Sequence, residues 1–205
     1  MTTAFAAFVV AATLIVLLPG PDTLVVVRNI VQGGRRVGTS TALGVLTGLL
    51  VWVAAASLGL SALLGASKLG YLVLRLIGGA YLVFLGVQSL RARVGAFELE
   101  PSGGHGRPIL GRGFVAGMAT DLLNPKVGVF FVTFLPAFVP HGHPVGSTTL
   151  YFGAIFVFET ALYFGVLLML AGRVTTWFQS AAIRRRLSRI TGAVLVGFGI
   201  RLAAG

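Results

Sequence analysis

The sequence predicts an all-α integral membrane protein with six transmembrane helices, built as two inverted three-helix repeats whose helices 1 and 4 are broken. Three observations carry that expectation. Hydrophobic residues make up 56% of the 205 positions and charged residues only 10%, with a mean hydropathy of +0.95, where a soluble domain carries about 25% charged residues. Apolar stretches of about 20 residues, the length that crosses a bilayer, recur along the whole chain. Similar residues then return at fixed offsets in the second half. Little sequence is left for a soluble domain, so residues 1–205 read as a single transmembrane domain: repeat one about 1–93, a linker about 94–111, and repeat two about 112–205.

The first apolar stretch, about Ala4 to Val31, has no basic leading region and runs into Pro19-Gly20-Pro21-Asp22 instead of a cleavage site, so it reads as a retained helix and not a signal peptide. Further spans are expected over about Gly38–Leu64, Leu69–Leu90, Gly113–Val139, Thr148–Ala171 and Ile190–Ala204. The last is short and is interrupted by Arg201, which can snorkel with Arg189 to lengthen it. Its best support is internal. Moving the third span by 113 positions pairs Ile77 with Ile190, Gly79 with Gly192, Ala80 with Ala193, Leu82 with Leu195, Val83 with Val196 and Gly86 with Gly199. The second and fifth spans open alike, with Val37, Gly38 and Thr41 matching Val145, Gly146 and Thr149. Leu18-Pro19 and Asn124-Pro125 each interrupt an apolar run near its middle.

The net charge of +11 would suggest nucleic acid in a soluble chain, but its distribution points elsewhere. Of 16 Lys and Arg residues, twelve fall in three connections: Arg28, Arg35 and Arg36; Arg91, Arg93, Arg107 and Arg112; Arg173, Arg184, Arg185, Arg186 and Arg189. That is a positive-inside signal, which places both termini outside the cytoplasm and gives the second three-span unit the opposite orientation to the first. Inverted repeats of this kind are a hallmark of secondary transporters. The polar segment 94–111 reads as a cytoplasmic linker, and the Arg184–Arg186 run as an anchor on anionic lipid.

A proline inside a helix removes a donor and frees the carbonyl four residues back, a cost hydrocarbon tolerates only where protein or a wet cavity receives the freed group. Two breaks near midplane, at Pro19, Gly20 and Pro21 and at Pro125, therefore predict a cavity. Each break offers free N–H groups at one half-helix end and free carbonyls at the other, a pair of ends that suits an amino-acid zwitterion. Three of the five acids, Asp22, Asp121 and Glu159, fall inside predicted spans, where a charge costs about 2.5 to 3.5 kcal/mol. Asp22, Asp121, Asn124, Lys126 and Glu159 are accordingly the expected substrate- and proton-binding residues. The competing structural roles are a helix cap for Asp22, an ion pair with Lys126 for Asp121, and burial or pairing with an arginine for Glu159. Gly44-x-x-x-Gly48 and Gly113-x-x-x-Gly117 should allow close helix packing.

Other chemistries find no footing. There is no cysteine, and His105, His141 and His143 fall in connections, so no metal site is expected. No serine triad or phosphate-cradling loop is present, so the chain does not read as an enzyme and no cofactor is expected.

Leu18-Pro-Gly-Pro-Asp-Thr, Gln32-Gly-Gly-Arg-Arg-Val-Gly and Ala42-Leu-Gly-Val-Leu-Thr-Gly, followed in the second half by Gly113-Phe-Val-Ala-Gly and Thr120-Asp-Leu-Leu-Asn-Pro-Lys, resemble the lysine exporter (LysE) superfamily. The likeness is greatest to its RhtB branch of homoserine, threonine and neutral amino-acid exporters. It covers essentially the whole chain. The resemblance implies a bacterial inner-membrane, multi-pass amino-acid exporter driven by proton antiport, with its motifs on Pro19, Gly20, Pro21 and Asp22 and on Asp121, Asn124, Pro125 and Lys126. Branches exporting basic amino acids carry an acid in the second span, whereas here Gly48 is followed by Leu49, Leu50, Val51 and Trp52. That favours a neutral substrate. The expected partners are an amino-acid substrate, protons and membrane lipid, with a homodimer left open and no nucleic acid. Two rivals stand beside this reading: a divalent-metal exporter using the carboxylates and Asn124 as oxygen ligands, and a non-transporting scaffold whose breaks serve packing alone.

Overall fold

The computed structural model describes residues 2–91, 112–140, 142–171 and 180–204; the expected linker, 94–111, and Arg173 lie outside the described residues. Every described element is helical. In chain order they are α1 (Thr2–Leu17), α2 (Pro21–Ala66), α3 (Lys68–Arg91), α4 (Phe114–Leu122), α5 (Pro125–Val129), α6 (Val145–Met169) and α7 (Ala181–Ala204). Helix α5 runs on as a π-helical turn, Phe130–Phe134, and a 3-10 turn, Leu135–Phe138. Pro136 accounts for the change of pitch, since it cannot donate to an α-helical carbonyl and crowds the turn before it.

By length and apolarity, Pro21–Gly59 and Val145–Met169 can each cross a membrane, and the pair Phe114–Leu122 and Pro125–Phe138, bent by 51°, makes a third candidate. The other expected stretches also fall on helices: Ala4–Val31 on α1 and the start of α2, Leu69–Leu90 on α3, and Ile190–Ala204 within the longer α7. One boundary differs from expectation. The first and second stretches have no loop between them but join in the 46-residue α2, broken only at Gly34, where φ is 72° and ψ −177°. A side chain with a Cβ is strained at that φ, so the Gln32-Gly-Gly-Arg segment turns the chain within a single residue.

The two proline breaks form for local reasons. Pro19 and Pro21 both lack an N–H, so α1 ends at Leu17 and helix resumes at Pro21. In the second half Asn124 is extended, with φ −76° and ψ 109°, as the residue before a proline prefers, and helix resumes at Pro125. The proline that restarts the helix in the first half is thus Pro21 and not Pro19. The structurally equivalent dipeptides are Pro21-Asp22 and Pro125-Lys126, two residues away from the alignment of Pro19 with Pro125.

Glycines set the helix packing. On α3 and α7, a Cβ at Gly79 would meet the Gly199 carbonyl at 2.9 Å, and one at Gly86 would meet the Gly192 carbonyl at 2.7 Å. These helices therefore run antiparallel, with backbones in close approach. Reciprocal bonds from the Ser89 hydroxyl to the Ser188 carbonyl, 2.9 Å, and from the Ser188 hydroxyl to the Ser89 carbonyl, 2.6 Å, extend the seam. On α2 and α4, Gly44 lies on the Phe114 backbone, Gly117 on the Thr41 backbone, and Gly48 on the Asp121 side chain, so these two run parallel. Beside the breaks sits an aromatic core in which Phe8 stacks on Phe152 at 4.5 Å and Phe130 on Phe156 at 4.4 Å.

Gly86→Ala should lower thermal stability in detergent by about 1 to 3 kcal/mol through overpacking. Gly197→Ala, where a Cβ meets nothing within 4 Å, should be neutral or stabilising by up to about 1 kcal/mol. Parallel melting curves of the two variants check both.

Candidate functional site

Breaking α1 at Pro19 leaves the Ile15 carbonyl without its α-helical donor, since that donor would be the missing N–H of residue 19. The end of the helix likewise leaves Leu18 short of a partner. Both are answered from the other half of the molecule. The Lys126 Nζ donates to the Ile15 carbonyl at 2.9 Å and to the Leu18 carbonyl at 3.0 Å. It is a charge-assisted contact at the negative end of a helix dipole.

The second break is closed in kind. Asn124 caps α5, its Oδ1 accepting from the Lys126 backbone N–H at 3.0 Å. Its Nδ2 donates to Asp22 Oδ2 at 2.6 Å. One amide thus caps the restarted helix of the second half and holds the carboxylate at the restarted helix of the first. Pro125 orphans the Asp121 carbonyl, which accepts from the Asn124 N–H at 3.0 Å and from Trp52 Nε1 at 3.4 Å.

A cavity of about 40 Å³ lies at this junction, reached by Leu18, Gly20, Asp22 and Lys126 from the breaks and by Thr160 and Tyr163 from α6. It is polar at the breaks and apolar at Val45, Leu49, Phe130 and Phe156. The volume suits a few water molecules.

The five expected binding residues are not all gathered there. Asp22, Asn124 and Lys126 meet directly. Asp121, fully buried, has both carboxylate oxygens without a hydrogen-bond partner and packs on Gly48 at the α2–α4 contact, off the cavity wall. It makes no ion pair with Lys126, whose amine is held by carbonyls of α1; the local pairing across the kink fails because the lysine reaches over the break. Asp22 serves as the second residue of α2, bonded to Asn124. Glu159 is half-buried on α6 and bonded to Thr13 of α1, with Oε2 unpartnered. Of the helix-break residues, Gly20 lines the cavity, while Pro19, Pro21 and Pro125 shape the backbone around it.

Sequence reading missed Thr23, Thr160 and Tyr163. Thr23 and Tyr163 share a hydrogen bond across the cavity wall, tying α2 to α6. The available signal was a Thr160-x-x-Tyr163 pair following Glu159 by one and four residues in an otherwise apolar helix.

A family model described as LysE type translocator matches residues 13–205. The threonine efflux protein of Escherichia coli strain K12 is 31% identical over 196 residues, 90% of this chain and 89% of that protein. An uncharacterised membrane protein of Pseudomonas aeruginosa is 32% identical, covering 98% of this chain and 95% of the relative, and another from Bacillus subtilis is 29% identical over 95% of this chain and 96% of its own length. No solved structure matches the chain. The protein is a membrane transporter and not an enzyme. It belongs to the LysE type translocator family.

Asn124→Ala should destabilise the protein by about 1 kcal/mol for the lost cap, with a further loss from stranding Asp22. A double-mutant cycle of Asp22→Ala with Asn124→Ala, followed by thermal unfolding in detergent, should return a coupling of about 1 to 3 kcal/mol.

Proposed function

We propose that this protein exports neutral amino acids or their derivatives, of threonine or homoserine type, across a bacterial inner membrane, and that the junction of the two helix breaks is its substrate site. The observation that carries the reading is the meeting of both breaks over one cavity, through Asn124 to Asp22 at 2.6 Å and Lys126 to the carbonyls of Ile15 and Leu18. Half-helix ends and a pair of opposite charges match the two ends of a zwitterion. The relatives named threonine efflux protein supply the direction and the substrate class. The second span carries no acid from Gly48 to Trp52, which suits a neutral side chain on the substrate better than a basic one.

The architecture in this proposal is six crossings in two inverted repeats. Its support is the α3–α7 seam: shifting by 113 residues turns the pair Gly79–Gly199 into Gly192–Gly86, as a local two-fold axis between the helices requires. Both termini lie outside the cytoplasm in this account. Gly113 sits 3.2 Å from Ser40 by its notional Cβ, and Ser89 bonds Ser188, so Arg35 and Arg36 share one end with Arg112, and Arg91 shares one with Arg185, Arg186 and Arg189. Rocking of one repeat against the other opens the cavity to each side in turn.

Export is coupled to protons through Asp22 or Asp121. Each has a buried carboxylate oxygen with no hydrogen-bond partner, and an ionisable side chain in a membrane span needs a functional account. The metal-exporter rival is less well served: among the described residues no three His, Asp or Glu side chains come together as ligands, and Asp22, Asp121 and Glu159 face different neighbours.

In liposomes loaded with labelled amino acids, an imposed pH gradient should drive efflux of threonine or a similar neutral amino acid by the wild type, and Asp22→Asn should reduce that gradient-driven rate at least tenfold, about 1.4 kcal/mol of coupling. Undiminished efflux by Asp22→Asn would remove Asp22 from the coupling, and no efflux of any amino acid would refute the function.

A further inference from the structure

Lys126 and Asp22 line the same cavity, yet the lysine amine hydrogen-bonds neither Asp22 nor Asp121. It reaches back to two backbone carbonyls, Ile15 at 2.9 Å and Leu18 at 3.0 Å, while Asp22 Oδ1 stays without a partner close by. The carbonyls belong to the C-terminal end of α1, where the helix dipole is negative, and they border the cavity. Such oxygens recognise an –NH3 group by its donors and charge and do not distinguish the carbon skeleton behind it.

We propose that the Ile15 and Leu18 carbonyls form a seat for a primary ammonium group, filled at rest by the chain's own Lys126, and that the α-ammonium of the substrate takes this seat by displacing Lys126. The second half of the inference rests on the exporter reading; the first does not. Displacement explains why a zwitterion is the fitting ligand. A bare amine would evict Lys126 and leave an extra buried cation, whereas an amino acid brings a carboxylate for the released lysine to pair with, and Asp22 Oδ1 offers a second acceptor. Tethering keeps the resting seat filled, because a side chain attached to the site competes at high effective concentration. The exchange of one ammonium for another makes Lys126 a specificity-determining residue that admits amino acids and excludes simple amines and metal cations.

The direct test restores the missing piece of side chain. Lys126→Ala removes three methylenes and the amine, which propylammonium replaces. Purified Lys126→Ala protein should melt below wild type, and propylammonium should raise its Tm by about 5 °C. Tetramethylammonium, which has no N–H, should not raise it at equal ionic strength, and wild type should respond to neither. Equal responses of Lys126→Ala to the two ions would overturn the seat.

A second measurement uses wild type, and so holds even if that variant does not fold. The chain has only two lysines, Lys68 and Lys126, so 15N-lysine labelling gives two side-chain nitrogen signals, assigned with Lys68→Arg. Saturating threonine should move the Lys126 signal. An unmoved signal in protein that exports threonine would overturn the displacement. Absence of amino-acid efflux together with a propylammonium-specific Tm rise would refute the exporter reading and leave the seat established.

Discussion

Everything at the centre of this molecule follows from carbonyl groups that prolines leave without donors inside a chain built for hydrocarbon. A free carbonyl at a helix end is cheap in water and costs several kcal/mol in lipid. Here the Ile15 and Leu18 carbonyls are satisfied by Lys126, and the Asp121 carbonyl by Trp52 and the Asn124 backbone. Lys126 lies 111 and 108 residues from its two acceptors, and Trp52 lies 69 residues from Asp121. The breaks therefore hold the halves together, and Ile15, Leu18 and Lys126 also line the cavity between them.

The two breaks are alike in backbone and opposite in charge. Pro21-Asp22 and Pro125-Lys126 restart their helices in the same way, but one contributes a carboxylate and the other an amine. In the proposed inverted-repeat architecture, the junction of the two copies is electrically asymmetric where its scaffold is close to symmetric. That combination suits a site which must bind a dipolar molecule in one orientation while its two walls exchange places. The glycine seams are consistent with this division of labour. Gly79 and Gly86 on α3 meet Gly199 and Gly192 on α7, and Gly44 and Gly48 on α2 meet α4, which leaves rigid pairs of helices around a loosely filled junction.

Much of this was legible from sequence because prolines, glycines and charges in apolar runs have few physical excuses. Helical stretches, the breaks, the glycine packing of α2 on α4, and Asp22, Asn124 and Lys126 as three of five expected site residues can be named from residue type and position. What escaped depended on reach. The competing structural role for Lys126, an ion pair with Asp121 five residues before it, fails because a long flexible side chain beside a kink can cross to another helix and does so. Position near the middle of an apolar run pairs Pro19 with Pro125, whereas the restart of the helix, which only backbone geometry reveals, falls at Pro21. Thr160 and Tyr163 stand out only through their spacing from Glu159, a weak signal because single hydroxyls in an apolar helix also serve packing. Glu159 is singled out by sequence as an acid inside a span with no break beside it, and in the structure it bonds Thr13 and not the residues at the breaks.

One measurement reports directly on whether the cavity between the breaks is the transport site. The chain contains no cysteine, so Thr160→Cys places a single thiol on the cavity wall. In oriented vesicles, labelling of that thiol by a membrane-impermeant maleimide from each side, with and without threonine, reports access to the site. The account predicts labelling from either face, under conditions that favour opening to that face, and slowing of it by threonine. A thiol that reacts from neither side, or reacts at the same rate in saturating threonine, would contradict it.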